Sequence, residues 1–166
     1  GLARALARDP QMRERRRAII TAPASVRSVG EAVMAADRLL ETAKAQADAR
    51  VSERNAREKA ELLRQLGMDE GENATKASRT MIRQLEEDQK RRSKRALTDA
   101  IDRALIDLLA IYRDVLMVQV GGDGELINTD LSDLVHEIAQ DSTPRQTLAR
   151  VDHIETARKR LVANGN

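Results

Sequence analysis

The sequence predicts an all-α protein, a helical bundle with a long projecting antiparallel helical hairpin, and three observations carry that expectation. Apolar residues in Leu97–Val120 recur at intervals of three and four, the period of one helical face. The apolar set is aliphatic residues and alanine, with Tyr112 the sole aromatic, which suits interdigitating helices better than a β-sandwich. No convincing strand exists; LMVQV reads as the end of the central helix.

The central helix comes first. Leu97, Ile101, Leu105, Leu108, Leu109, Tyr112, Val115 and Leu116 form a wide stripe without glycine or proline. Asp102, Arg103, Asp107, Arg113 and Asp114 fall mostly on its flanks. A stripe this wide marks a helix packed against several neighbours.

The remaining elements follow in chain order. Leu2–Arg8 has the pattern of a helix tail. Asp9 offers a cap and Pro10 a first helical position, so a short helix is expected from Pro10 to Ile20, stopped by Pro23. Its run Arg13–Arg17 reads as a solvated face. Ser28 and Glu31 fit a capping box that opens the first long helix, with Val29, Val33, Ala36 and Leu40 as its apolar stripe. From Lys44 to Glu61 alanine and charge replace the large aliphatics. Leu62, Leu63 and Leu66 then precede Gly67, a natural C-cap. After the turn Gly67–Asn73, helical signal runs from Ala74 to Gln119, thinly apolar at first. Residues 44–96 therefore read as two antiparallel arms of about 23 residues, each roughly 35 Å long at 1.5 Å per residue. Gly121–Gly124 ends the central helix. Asn128–Asp130 supplies a cap for a short helix through Gln140, with Leu131, Leu134, Val135 and Ile138 inward. Thr143 and Gln146 cap a last helix that buries Leu148, Val151, Ile154 and Leu161.

Composition bounds the function. Charged residues make up 34% and nearly balance, at a net +2, which argues against a dedicated nucleic-acid binder while leaving local basic runs open. There is no cysteine, so disulfides and thiolate metal sites are excluded. No apolar run approaches the roughly 20 residues that cross a bilayer, and no secretory leader pattern is present. A soluble, cytoplasmic protein with no membrane partner is expected. The chain begins inside a helical pattern without an initiator Met, as expected for a piece of a longer protein.

Catalytic constellations are lacking. The glycines at 121–124 are not followed by Lys-Ser/Thr and do not make a phosphate loop. His136-Glu137 opens like H-E-x-x-H, but Gln140 stands at the second histidine position. Asp133 and His136 lie one turn apart without the second motif a di-iron bundle needs. Pairs such as Glu53/Arg57 read as exposed i,i+4 support. No catalytic residue, cofactor or metal is assigned. The sharpest charge feature is Lys90, Arg91, Arg92, Ser93, Lys94, Arg95, five cations in six residues. The cations are candidates for contact with phosphate or an acidic partner. Lacking aromatics, they cannot build a base-stacking platform.

The string EDQKRRSKRALTDAIDRALIDLLAIYRDVL, then LINTDL and TPRQTLARVDHIETARKRLVANGN, resembles the C-terminal part of the bacterial DNA polymerase III delta-prime subunits, in their actinobacterial form. The upstream AREKAELLRQLGMDEG belongs to the same likeness. The resemblance implies residues 1–22 as the end of an AAA+ lid and 23–166 as a helical collar domain of the clamp-loader type. Residues 44–96 would be a hairpin inserted in it. It implies gamma/tau and delta subunits as partners in a five-membered ring, and the sliding clamp and primed DNA as partners of the whole complex. No ATP hydrolysis is implied for the subunit itself. Arg4, near the end of that lid, is left unassigned. The family pattern continues into a final helix after 166; an apolar patch left by its absence would favour self-association.

Two functional readings result. The first is a non-catalytic subunit-interaction domain, with Leu105, Leu108, Leu109, Tyr112, Arg113 and Leu116 as candidate core or interface. The second is a helical DNA-contacting or coiled-coil scaffold protein using the basic run 90–95.

Overall fold

Every regular element among the described residues is helical. The computed structural model describes residues 10–21, 26, 28–67 and 75–165. The expected helix tail at Leu2–Arg8, the Asp9 cap, the Pro23 stop and most of the turn after Gly67 lie outside them. The elements are α1 (Pro10–Thr21), α2 (Val29–Gln65), α3 (Lys76–Gln119), a 3-10 turn (Thr129–Leu131), α4 (Ser132–Gln140) and α5 (Pro144–Gly165).

Local chemistry fixes the helix ends. The backbone N–H of Ser28 donates to Glu31 Oε2 (3.1 Å) and that of Glu31 to Ser28 Oγ (3.2 Å), a reciprocal capping box. Thr143 and Gln146 repeat the device at α5, at 2.9 and 3.3 Å. At α3 the cap is Thr75, whose Oγ1 accepts from the Ser78 N–H at 3.2 Å. Gly67 and Gly121 carry α2 and α3 out of the helix at φ 63° and 65°, a conformation that disfavours any side chain with a Cβ.

Contacts divide the chain into two units, Gly1–Thr42 with Ile101–Asn166, and Ala43–Ala100. The first holds the apolar core: Ile20 of α1, Ile111, Tyr112 and Val115 of α3, Leu131, and Val135 and Ile138 of α4. Val118, Leu126, Leu134, Val151 and Ile154 pack around them. Fully buried aliphatics such as Ile111, Val115 and Val135 each contribute roughly 1.5–3 kcal/mol.

Within this unit the buried line of α3 runs Ala104, Leu108, Ile111, Val115. It is rotated by about 60° from the centre of the stripe that large apolar residues mark. Leu105, Leu109 and Leu116 sit at its edge, partly buried. α5 runs antiparallel along that side, with Arg158 Nε on Asp102 Oδ1 at 2.7 Å and the Arg150 guanidinium 5.8 Å from the Tyr112 ring centre.

Three expectations are corrected here. On α2, Val33 and Leu40 are 56% and 46% exposed, and Ala36 is exposed too. Ala36 still borders the cleft against α1 and α3, together with Ala32, Ala35 and Leu39 of the row one residue earlier, whereas Val33 and Leu40 do not. On α5, Leu148 is exposed while Thr147 is fully buried. Asn128 does not cap the following helix through its side chain; a 3-10 turn intervenes and Asn128 turns to Asp114.

The second unit is a helical hairpin of the α2 and α3 segments within 43–100. Its buried residues include Ala43, Ala47, Val51 and Ser78, and among the described residues no large side chain of this unit is fully buried. Polar contacts join its arms: Gln89 Nε2 donates to the Asn55 carbonyl at 2.9 Å, and Arg92 Nη1 to Asn55 Oδ1 and Glu58 Oε2, both at 2.8 Å.

Candidate functional site

α3 places the first group of candidate residues. Leu108 and Tyr112 are buried, Leu105, Leu109 and Leu116 partly so, and Arg113 is exposed. Leu108 and Tyr112 thus act from inside the unit, and the others reach its surface to differing extents.

The most polar buried point is Asp114, whose side chain has no exposed surface. Its carboxylate accepts from Arg113 Nη1 (2.7 Å), the Ile127 N–H (3.1 Å), the Asn128 N–H (2.8 Å) and Asn128 Nδ2 (2.8 Å). Burial pushes the carboxyl up, but the Arg113 guanidinium and the Ile127 and Asn128 donors together outweigh it and hold the group below the usual carboxylate range. Arg113 Nη1 also donates to the Glu125 carbonyl at 3.0 Å. The segment after Gly124 is therefore tied to α3 by one buried anion and its cation. Sequence periodicity puts Asp114 on a flank; the structure corrects this to the interior. The available signal was the pairing of YRD with LINTD, a buried acid and the donors returning to it thirteen and fourteen residues later.

A cleft of about 340 Å³ opens beside Tyr112, lined by Ile19, Val26, Ala32, Ala35, Ala36, Leu39, Leu108 and Arg150. Arg150 is its charged member. Burial raises the Tyr112 phenol's pKa, and Arg150 only partly offsets that. Tyr112 and Arg150 are the ionisable side chains among the described lining residues. Next to the cleft on α2, Val33, Met34 and Leu40 present apolar surface outward.

In the hairpin unit the basic run separates. Arg92 is drawn inward by Glu58 and Asn55, and its side chain is 25% exposed. Lys90, Arg91, Lys94 and Arg95 are exposed, Arg91 beside Asp88. Glu58 is held down to about 2 by hydrogen bonds from Arg92 and then Arg54.

His136 stands exposed on α4, with Nδ1 2.8 Å from the Ser132 carbonyl. Among the described residues no group of three or more His, Cys, Asp or Glu could hold a metal ion. No described helix is long and apolar enough to cross a membrane. Of the run Arg13–Arg17, Glu14 and Arg17 are exposed and the other side chains lie outside the described set. Sequence reading also missed Gln119, whose Nε2 donates to the carbonyls of Ala139 (3.3 Å) and Ser142 (2.7 Å) where α4 ends.

No family model matches the chain, and no solved structure does. Among curated proteins it is 39% identical over 59 residues to DNA polymerase III subunit delta' of Bacillus subtilis (strain 168). That match covers 36% of this chain and 18% of the relative. The chain thus shares a stretch with a delta' subunit and spans less than a fifth of that relative's length.

Proposed function

We propose that the chain is a non-catalytic, subunit-interaction part of a clamp loader of the DNA polymerase III delta-prime type, acting in DNA replication. The observation that carries this reading is the 39% identity over 59 residues to a delta' subunit. The all-helical architecture agrees with it, as do the exposed Val33, Met34 and Leu40 beside the cleft, the kind of surface that marks a protein contact. In this reading residues 1–22 end an AAA+ lid, 23–166 form an actinobacterial-type collar and 44–96 are a hairpin arm inserted in it. The α3 stripe from Leu105 to Leu116 organises the block that gamma/tau and delta subunits hold, in the cytoplasm. The sliding clamp and primed DNA meet the whole assembly.

The test is reconstitution. The chain is mixed with the C-terminal domains of gamma/tau and delta, and the mixture is resolved by size exclusion with light scattering. A single peak with the mass of a complex is expected. Separate elution of components each shown to be folded by circular dichroism would overturn the reading.

A further inference from the structure

We infer that the outer face of the α3 arm, centred on Lys90, Lys94 and Arg95, binds the phosphodiester backbone of duplex DNA without reading its sequence. This surface lies wholly within the hairpin unit, and the inference does not rest on the subunit-interaction reading above.

At about 100° per residue, Lys90, Arg91, Lys94 and Arg95 occupy roughly 140° of the helix circumference. The residues that meet the other arm, Gln89 and Arg92, lie on the opposite side. Arg92 is thereby spent on Glu58 and Asn55. Arg91 shares its charge with Asp88. Lys90, Lys94 and Arg95 are exposed and pair with no carboxylate among the described residues. Glu86 and Glu87 stand one turn before Lys90, and Glu87 turns instead to Arg83 at 3.6 Å. Lys76 continues the same arc, which runs about 27 Å from Lys76 to Lys94 at 1.5 Å per residue; Arg83 lies on it too, paired with Glu87, which shares that face.

The chemistry of this face selects among polyanions. Protein interfaces hold through buried aromatic and aliphatic anchors ringed by polar groups. The arc has none; Met81, the large apolar side chain of this unit that stands exposed among the described residues, lies about 110° round the helix from the centre of the arc. Nor is there an aromatic ring in the unit to stack a splayed base. What remains is a row of flexible cations suited to regularly spaced phosphates, where released counterions supply the driving force.

The experiment is a titration of the full chain against a fluorescein-labelled 30-base-pair DNA duplex of mixed sequence, followed by anisotropy from 25 to 200 mM NaCl. Binding is expected, with a slope of log K on log salt between about −2.5 and −4, for three to four phosphates neutralised. The variant Lys90→Gln/Lys94→Gln/Arg95→Gln should bind at least about tenfold more weakly at 50 mM NaCl, with a slope shallower by about 2–3. Its helical circular dichroism should be unchanged. A variant that removes as much charge from the α2 arm, Arg54→Gln/Arg57→Gln/Arg64→Gln, should lose clearly less affinity than the first variant, since it changes the net charge equally but removes no phosphate contact. Replacing the three outer cations by Lys90→Arg, Lys94→Arg and Arg95→Lys should preserve binding. Absence of binding at 25 mM NaCl, equal loss in both Gln variants, or displacement by polyglutamate as effective as by unlabelled duplex would overturn the inference.

Discussion

The energetics of single residues concentrate at Asp114. A buried carboxylate with four donors is stabilising only while they stay in place, because removing it leaves the Ile127 N–H and both Asn128 donors without their acceptor, while exposed Arg113 keeps the Glu125 carbonyl. Asp114→Ala should cost roughly 2–4 kcal/mol, and thermal unfolding followed by circular dichroism checks it. The sign of the pH dependence follows from the lowered pKa. The carboxylate's contribution is complete above its ordinary value near pH 4 and is lost as pH falls through the depressed folded value. The wild-type melting temperature should therefore fall more steeply with acid than that of Asp114→Ala. Glu58 offers a spectroscopic counterpart. Its side-chain carboxyl carbon should titrate near pH 2 by NMR, and Arg92→Gln should move that midpoint back towards pH 4.

At the scale of elements, helix ends obey local chemistry and helix faces obey their neighbours. The Ser28/Glu31 and Thr143/Gln146 boxes form as their spacing requires. Thr143→Ala should cost about 1 kcal/mol in a thermal melt. Faces were less legible. At single positions on α2 and α5 the inward residue is the one before the obvious aliphatic, half-buried Leu39 rather than Leu40 and buried Thr147 rather than Leu148, while Val151 and Ile154 pack inward as expected. An alanine or a threonine can be the better fit where another helix comes close, and no count of large apolar residues registers that. On α3 the same bias moved the expected stripe away from Ala104. Asp114 escaped notice for a different reason. A buried charge is legible only through its partners, and these return from a loop after the helix has ended.

For the whole molecule, the two units differ in what they bury. The first has a core of aliphatic side chains from five elements, whereas the hairpin buries chiefly Ala43, Ala47 and Val51. Hydrogen exchange should register the difference. Amides of residues 78–95 should exchange well before those of 104–118, although both belong to one continuous helix. If the subunit-interaction reading holds, Val33→Glu/Leu40→Glu should weaken co-elution with partner domains by about tenfold or more, since a carboxylate would be desolvated in the contact. Both positions are exposed here, so the variant's own melt should be little changed.

The small buried side chains of the hairpin, Ala43, Ala47 and Val51, carry one more implication. Small flat side chains can slip past each other by a turn with little loss, so apolar contact alone would leave the two arms free to settle in several alignments. Asn55, gripped by Gln89 and Arg92, works as a peg that selects one of them, as buried polar residues do in coiled coils. Asn55→Leu should therefore yield a hairpin as helical as before but alignment-degenerate, seen as doubled NMR resonances for residues 85–95.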